Sequence, residues 1–410
     1  MERTVVGIDV GTTKVCTLIG ELDEQDRLCI LGVGVAPSQG LSKGVVVNVD
    51  EATKAIAASI EKAERVSGYT IESAYIGLAG KHISSFNSRG VVAVGRGERY
   101  ITEEDVERAL EAAQAIAVPH NQKIVHIIPR SFTLDGQEGV RDPIGMAGFR
   151  LEVEAHIVTG AVTAIRNLVQ CVENNGIQVN DLILQPLASS EAVLTPEERE
   201  IGVVLVDAGG GTTDVAIFVD GGIWHSVVLP VGGNNLTNDL AVGLRTPFNT
   251  AETLKIKYGH VLPEAIDPQE VIEVAAFGES EAQTVPRLEL VQILEARAEE
   301  MFAMIQQEIK RSGYEGLLPA GVVLTGGTAE LPGFKELGRE MLQLPVRIGH
   351  VRNIGGLVDA VSAPAYATAV GLLLWGVRHG PSERRLEKRE SRWTDLYKRF
   401  VDILRAFLPR

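Results

Sequence analysis

The sequence has only three cysteines, Cys16, Cys29 and Cys171, and no Cys-x-x-Cys pair. So odd and sparse a set argues against a disulfide framework and implies a reducing compartment. A leader is also lacking: Met1-Glu-Arg-Thr runs straight into an apolar segment of strand character. No apolar run is long enough for a transmembrane helix. A cytoplasmic protein is expected. Positive charge is short as well, with 39 Lys/Arg against 54 Asp/Glu and a formal net charge of −15. Nucleic acid is therefore not an expected partner, because sequence-independent binding needs clustered basic residues. There is no Gly-x-x-x-x-Gly-Lys-Ser/Thr, which excludes a P-loop. There is no Gly-x-Gly-x-x-Gly after the first strand, which argues against a dinucleotide site.

What is present is an ordinary globular composition, 45% hydrophobic and 23% charged over 410 residues, enough for two or more domains with real cores. The charge is unevenly spread. Residues 381–410 hold nine Lys/Arg and five Asp/Glu, a net +4, which leaves −19 for the rest. Within 391–410, Trp393, Leu396, Tyr397, Phe400, Ile403, Leu404, Phe407 and Leu408 recur at helical spacing and form one apolar stripe. Arg392, Asp395, Lys398, Arg399, Asp402 and Arg405 fill the opposite face. This suits a helix lying in the interface of an anionic membrane, with Trp393, Leu396, Phe400, Ile403, Leu404 and Phe407 as the contact. The alternative is a terminal helix docked on the protein's own core. Residues 379–390, nearly all charge without apolar periodicity, read as a flexible tether.

Two internal segments resemble each other. Val5-Val-Gly-Ile-Asp-Val-Gly-Thr-Thr-Lys-Val-Cys16 and Val203-Val-Leu-Val-Asp-Ala-Gly-Gly-Gly-Thr-Thr-Asp-Val-Ala216 both run apolar strand, Asp, small-residue turn with Thr-Thr, strand. Asp9 and Asp207 are the equivalent points, 198 residues apart. The repeat suggests two related domains, each giving one turn to a shared site. The backbone N–H groups of Gly11, Thr12, Thr13 and Lys14, and of Gly209, Gly210, Gly211, Thr212 and Thr213, can cradle phosphate oxygens as a nest. Asp9 and Asp207, at strand ends, can hold a hydrated cation beside them. Two plain hairpins are the bland reading of the same turns. A third signal, Val322-Val-Leu-Thr-Gly-Gly-Thr328, places Gly326, Gly327 and Thr328 where a base or ribose can lie on the backbone.

These pieces, taken in order, resemble the actin, sugar-kinase and heat-shock chaperone superfamily. Within it the chain is similar to the FtsA family of bacterial cell-division actins. That narrower likeness rests on Val231-Gly-Gly-Asn-Asn-Leu-Thr-Asn-Asp-Leu-Ala241, Thr246-Pro247, Ala251-Glu-Thr-Leu-Lys-Ile-Lys-Tyr-Gly259 and the tethered tail. Small-residue segments at Leu182–Ala192 and Ala363–Gly371 match its two connecting helices.

The resemblance implies an α/β, actin-like fold of duplicated ribonuclease-H-type domains flanking a nucleotide cleft. Domain 1 would comprise 1–80 and 159–196, interrupted by an inserted subdomain, 1C, over 81–158. Domain 2 would comprise 200–231 and 313–378, with subdomain 2B over 232–312. It also implies bound ATP and Mg2+, with Asp9 and Asp207 holding the ion through water, and Gly232, Gly233, Asn234, Glu252 and Lys255 completing the nucleotide site. Gln185, before Pro186, falls where relatives position a water; a strand-end cap is its other reading. Lys14 either reaches a phosphate or is a solvated hairpin charge. Glu252 and Lys255 face the adenosine or form a surface ion pair. Asp214 is read as a structural hydrogen bond to its turn rather than a metal ligand. Implied partners are a second copy in a head-to-tail filament, the C-terminal tail of the tubulin-like protein FtsZ, an anionic membrane and other division proteins. Arg287 and Arg297 are the candidate FtsZ contacts, or else solvated helix charges. The expected place is the cytoplasmic face of the membrane at the septum, with at most slow ATP hydrolysis. A pilus-assembly protein or a small-molecule kinase on the same fold is the alternative.

The coarse reading places strands at 4–10, 14–20, 28–36 and 44–48. A helix is expected over 51–67 with Asp50 as N-cap, another after Thr102 ending before Pro119, and a long one over 287–311. Glu330–Met341 reads as a helix.

Overall fold

A computed structural model describes residues 4–25, 27–94, 100–115, 118–275, 277 and 282–379. The membrane-contact expectation for 391–410, and the tether apart from His379, fall outside these residues.

Two sheets of matching topology make the body. The first has six strands in the order Gln178–Leu184, Ser73–Leu78, Thr4–Val10, Lys14–Leu22, Leu28–Pro37 and Ile354–Gly356. The second has five, in the order Val346–Ile348, Val322–Thr325, Val203–Ala208, Thr213–Val219 and Gly222–Leu229. In each, an antiparallel meander of three strands is followed by two strands parallel to its first. The sequence repeat is thus a repeat of structure.

The first strand shows why side chains fall where they do. Successive residues of a strand point to opposite faces. Val6, Ile8 and Val10 pack with Ile56 and Ile60 of the Val49–Ser67 helix and with Ile165 and Leu168 of Val162–Glu173. Val5 packs on the other face with Leu372 and Leu373 of the final helix, Ala367–His379. Gly7 is on that second face, and a Cβ there would lie 2.9 Å from that of Leu372. The final helix and the Gln185–Val193 helix lie in one core with residues of both sheets, including Cys16, Leu18, Leu205 and Phe218. Their crossing is close: a Cβ on Gly371 would sit 1.8 Å from the carbonyl oxygen of Ala188.

Two further units are built on this body. A four-stranded sheet, in the order Ile83–Ala93, Arg150–Ala161, Gln122–Leu134 and Gln137–Val140, carries the Glu103–Gln114 helix and its own core around Ile101, Phe132, Leu151 and Val153. It abuts the edge strand Gly222–Leu229, where Ser85 donates to the Ser226 carbonyl at 2.6 Å and His156 pairs with the Ser226 hydroxyl at 2.8 Å. The other unit holds helices Gly233–Gly243, Phe248–Tyr258 and Arg287–Ser312 with the hairpin of Val271–Val274 and Gln283–Pro286.

Several local expectations are corrected. The first helix begins at Val49, because the Asn48 side chain takes the N–H groups of Asp50 and Glu51, so Asp50 is in the first turn rather than at the cap. The strand expected at 44–48 is a two-residue hairpin, Leu41–Ser42 with Val45–Val46. The helix expected from Glu330 is split. A short 3-10 turn, Gly327–Glu330, precedes Pro332 and Gly333, and the α-helix starts at Phe334. Gly333 has φ +83°, outside helical space. The first connecting segment stays a strand through Leu184, and helix begins only at Gln185.

Candidate functional site

A cavity of about 490 Å³ opens between the two matched sheets and is walled by both hairpin turns. The two turns have the same construction. Asp9 pairs with Cys16 and Val10 with Val15, leaving Gly11–Lys14 as the loop; Asp207 pairs with Asp214 and Ala208 with Thr213, leaving Gly209–Thr212. In each, the glycine N–H donates to the carbonyl of the fourth residue, Gly11 to Lys14 at 3.1 Å and Gly209 to Thr212 at 2.9 Å. The Thr-Thr pairs that look equivalent in sequence are therefore not equivalent in space. Thr12 and Thr13 form the loop of the first turn. Thr213 is back in the strand, fully buried, and donates to the Val231 carbonyl at 2.9 Å.

The turns approach so closely that one must be glycine. A Cβ on Gly210 would lie 1.9 Å from the Thr13 hydroxyl, and one on Gly211 would lie 2.5 Å from that of Thr12. The Gly233–Gly243 helix closes on the second turn: the N–H groups of Gly233 and Asn234 donate to the carbonyls of Gly209 and Gly210 at 2.9 and 2.7 Å. Gly232 serves that approach, since a Cβ there would lie 2.6 Å from the Gly209 oxygen; it does not line the cavity, and neither does Thr213. Gly326 has φ +83° and lies against Ala208 and Asp207, and the Thr328 hydroxyl donates to Gly209 at 2.9 Å.

Three carboxylates are buried here, Asp9 and Asp207 on the cavity lining and Asp214 off it. Asp9 accepts from the Gln185 amide at 2.8 Å, and Asp207 from the Thr368 hydroxyl at 2.9 Å. Burial, and then the charge of Asp207, raises the pKa of Asp9 to about 7. Burial also raises Asp207, against the hydrogen bonds of Thr368 and Ser189. Asp214 is raised well above the usual range by burial and by Asp207. Its Oδ2 accepts from the Thr212 hydroxyl at 3.1 Å, while its buried Oδ1 has no hydrogen-bond partner. Lys14 lies on the cavity wall, its ammonium 3.5 Å from the centre of the Tyr366 ring, and burial lowers its pKa. Two buried carboxylates on the lining, Asp9 and Asp207, with Lys14 and Lys255 on the wall, could hold a divalent ion. Among the described residues no three acidic, His or Cys side chains converge closely enough to ligate a metal directly.

Glu252 and Lys255 pair at 2.7 Å on the cavity wall. Lys255 also donates to the Gly233 carbonyl at 3.1 Å and the Thr237 hydroxyl at 2.8 Å, and Glu252 hydrogen-bonds Thr237. The pair thus buttresses the helix that covers the second turn. Gly11, Thr12, Asn234, Gly327 and Thr328 line the same cavity.

The sequence reading missed Thr368, Glu330, Leu236, Ile256, Pro332 and Ala365, all of them lining. Thr368 lies inside the Ala363–Gly371 segment, where only the fold brings it to Asp207. Arg287 and Arg297 lie away from the cavity. Arg297 is held by Asp239 at 2.6 and 3.1 Å and also pairs with Glu300; Arg287 binds Glu270 at 2.8 Å and the Tyr258 carbonyl at 2.9 Å.

Comparison with known proteins adds the following. The family described as "Cell division protein FtsA" matches residues 204–371, and "SHS2 domain inserted in FTSA" matches residues 80–159. The cell division protein FtsA of Pseudomonas aeruginosa is 45% identical over 376 residues, 92% of this chain and 90% of that protein. Among solved structures, a PilM-PilN type IV pilus biogenesis complex aligns at 15% identity with TM-score 0.65, covering 91% of this chain and 98% of that one. MreB5 of Spiroplasma citri bound to ADP aligns at 14% identity with TM-score 0.53, covering 91% and 96%.

Proposed function

The chain belongs to the FtsA family of cell-division proteins, and from that premise we propose that it binds Mg-ATP in the cleft, polymerises on the cytoplasmic face of the membrane at the septum, and tethers FtsZ there. The observation that carries the nucleotide part is the closure of two hairpin turns of the same construction on one cavity, next to the buried carboxylates Asp9 and Asp207. The fold neighbour MreB5 is described as bound to ADP, which accords with it.

In this reading the Gly11–Lys14 and Gly209–Thr212 turns hold phosphates, and Lys14 neutralises part of their charge. Asp9 and Asp207 hold the hydrated magnesium ion, and Gly326–Thr328 with Glu252 and Lys255 receives the adenosine. Bound Mg-ATP supplies the γ-phosphate and the ion that screens it. Gln185 orients a water toward that phosphate. A glutamine amide is a poor general base, so turnover is slow and the protein acts chiefly as an adaptor.

The finer parts extend the family premise. The inserted unit of one copy meets the 232–312 unit of the next, head to tail, a contact that does not close on itself and so builds filaments. The 232–312 unit takes the FtsZ tail. Residues 391–410 carry the apolar and basic faces suited to an anionic surface. Purified protein mixed with Mg-ATP and anionic vesicles should form filaments on the vesicles. A chain ending at residue 390 should bind Mg-ATP equally and leave the vesicles. Vesicle binding by that shortened chain, or no filaments with the full one, would contradict this.

A further inference from the structure

The corner that carries Gln185 is also held from behind by a residue of another unit. The N–H of Leu184 donates to Nε2 of His126 at 3.0 Å. Leu184 ends the Gln178–Leu184 strand and precedes the helix that starts at Gln185, and no side chain caps that helix. A helix start without a side-chain cap leaves its first N–H groups without that partner. His126 comes from a different unit, the Gln122–Leu134 strand of the inserted sheet. Beyond the corner, its ring meets Trp375 of the final helix edge to face, with centroids 6.0 Å apart. Trp375 in turn stacks on His379 at 4.1 Å, at the end of the described chain and directly before residues 380–410. Desolvation of the ring pushes the pKa of His126 down to about 4, with Asp181 opposing. The imidazole is thus neutral near pH 7, and the Nε2 lone pair is available to the Leu184 N–H.

We propose that His126 is a positioning residue that couples occupancy of the ATP cavity to the end of the final helix, by pinning the Leu184 amide while wedged against Trp375. The inference rests on the reading of the cavity as a nucleotide site. It needs an element with two positions, and the proposal gives that part to Gln185. Its amide donates to Asp9 Oδ1 in this structure. In the proposed coupling a water of the hydrated cation donates to that oxygen in place of the Gln185 amide, which turns toward the cavity. The uncapped helix start turns with it and pulls on the Leu184 N–H. His126 lies between that N–H and Trp375, so the displacement passes to the indole.

A packing role alone would be met by any ring of similar size; the coupling role needs an acceptor at Nε2. Trp224→Phe with Trp393→Phe leaves Trp375 as the one tryptophan of the three. In the full chain carrying these changes, Mg-ATP should shift the emission maximum of Trp375. Adding His126→Phe should abolish the shift, and His126→Gln, whose side-chain oxygen can reach the Leu184 amide, should restore it. Calorimetry on the same samples reports binding separately. If Mg-ATP binds and Trp375 does not respond, or responds equally with His126→Phe, the coupling is refuted. If no nucleotide binds, the site reading itself fails and this inference falls with it. Should the tryptophan variants not fold, amide exchange in the unaltered sequence gives the same decision: Mg-ATP should change exchange at Leu184 and at Trp375–His379 together, and a change at Leu184 alone would overturn the proposal.

Discussion

The side-chain amide of Gln185 donates to Oδ1 of Asp9 at 2.8 Å, joining the start of the first connecting helix to the end of the first strand. The residue expected to orient water and the carboxylate expected to anchor the cation are therefore in direct contact. Gln185→Ala should leave Mg-ATP affinity within a factor of about two and lower phosphate release about a hundredfold, the lower end of what a positioned acid–base group contributes. Phosphate-release kinetics and calorimetry check the two halves. Unchanged turnover would remove Gln185 from the reaction.

Asp9 should make the ligand-free protein pH-sensitive. Its pKa is raised from 3.8 to about 7 in the fold, by burial first and by Asp207 second. Between those values the folded protein keeps a proton that the unfolded chain has lost. Stability therefore falls as pH rises through about 4 to 7, and the whole cost is present above 7. Asp9→Asn copies the protonated form. Without ligand it should be more stable than the wild type at pH 8, by an amount on the order of a few kcal/mol at most, and the gain should shrink toward pH 5. A gain independent of pH, seen by denaturant unfolding, would show that Asp9 does not titrate in this window.

Gly210→Ala places a methyl group 1.9 Å from the Thr13 hydroxyl. The two turns must part, at about 1–3 kcal/mol for overpacking, with weaker Mg-ATP binding. Thr13→Ala removes the clashing oxygen. The double variant should recover most of the lost melting temperature, a coupling that a double-mutant cycle measures. Additive losses would mean that the turns do not touch in solution.

Arg297 presents a different problem. It is engaged by Asp239 and Glu300, so Arg297→Glu disrupts an internal pair whatever it does to a partner. The exchange Arg297→Asp with Asp239→Arg restores the pair with the charges swapped. If Arg297 contacts the FtsZ tail, the exchanged protein should melt within about 2 °C of wild type, a change of about 1 kcal/mol at most for a domain of this size, yet bind the tail peptide more weakly. Equal binding would assign Arg297 to the internal pair alone.

Much of the fold was legible because the two hairpins carry their Asp and glycines at matched places, and strand alternation such as Val6, Ile8 and Val10 against Val5 is a local signal. The Asp9 and Asp207 turns and the Gly326 junction share that local character. What was not legible depends on pairs distant in sequence. Thr368 reaches Asp207 across 161 residues, and His126 reaches the Leu184 amide across 58. No spacing rule connects these positions. The misjudged equivalence of the Thr-Thr pairs has a related cause: the second turn has two more glycines, so the same dipeptide falls two residues further along and Thr213 re-enters the ladder opposite Ala208. The early start of the first helix followed from an Asn48 cap that competes with Asp50 two residues on.

Calorimetric titration of Mg-ATP into the full chain and into Asp207→Ala tests the central claim most directly. Asp207 is buried at the floor of the cavity, with Thr368 as its hydrogen-bond partner. The account predicts saturable binding by the wild type at one site, weakened at least tenfold by the substitution, which requires only about 1.4 kcal/mol. Equal affinity of the two proteins for Mg-ATP would contradict it.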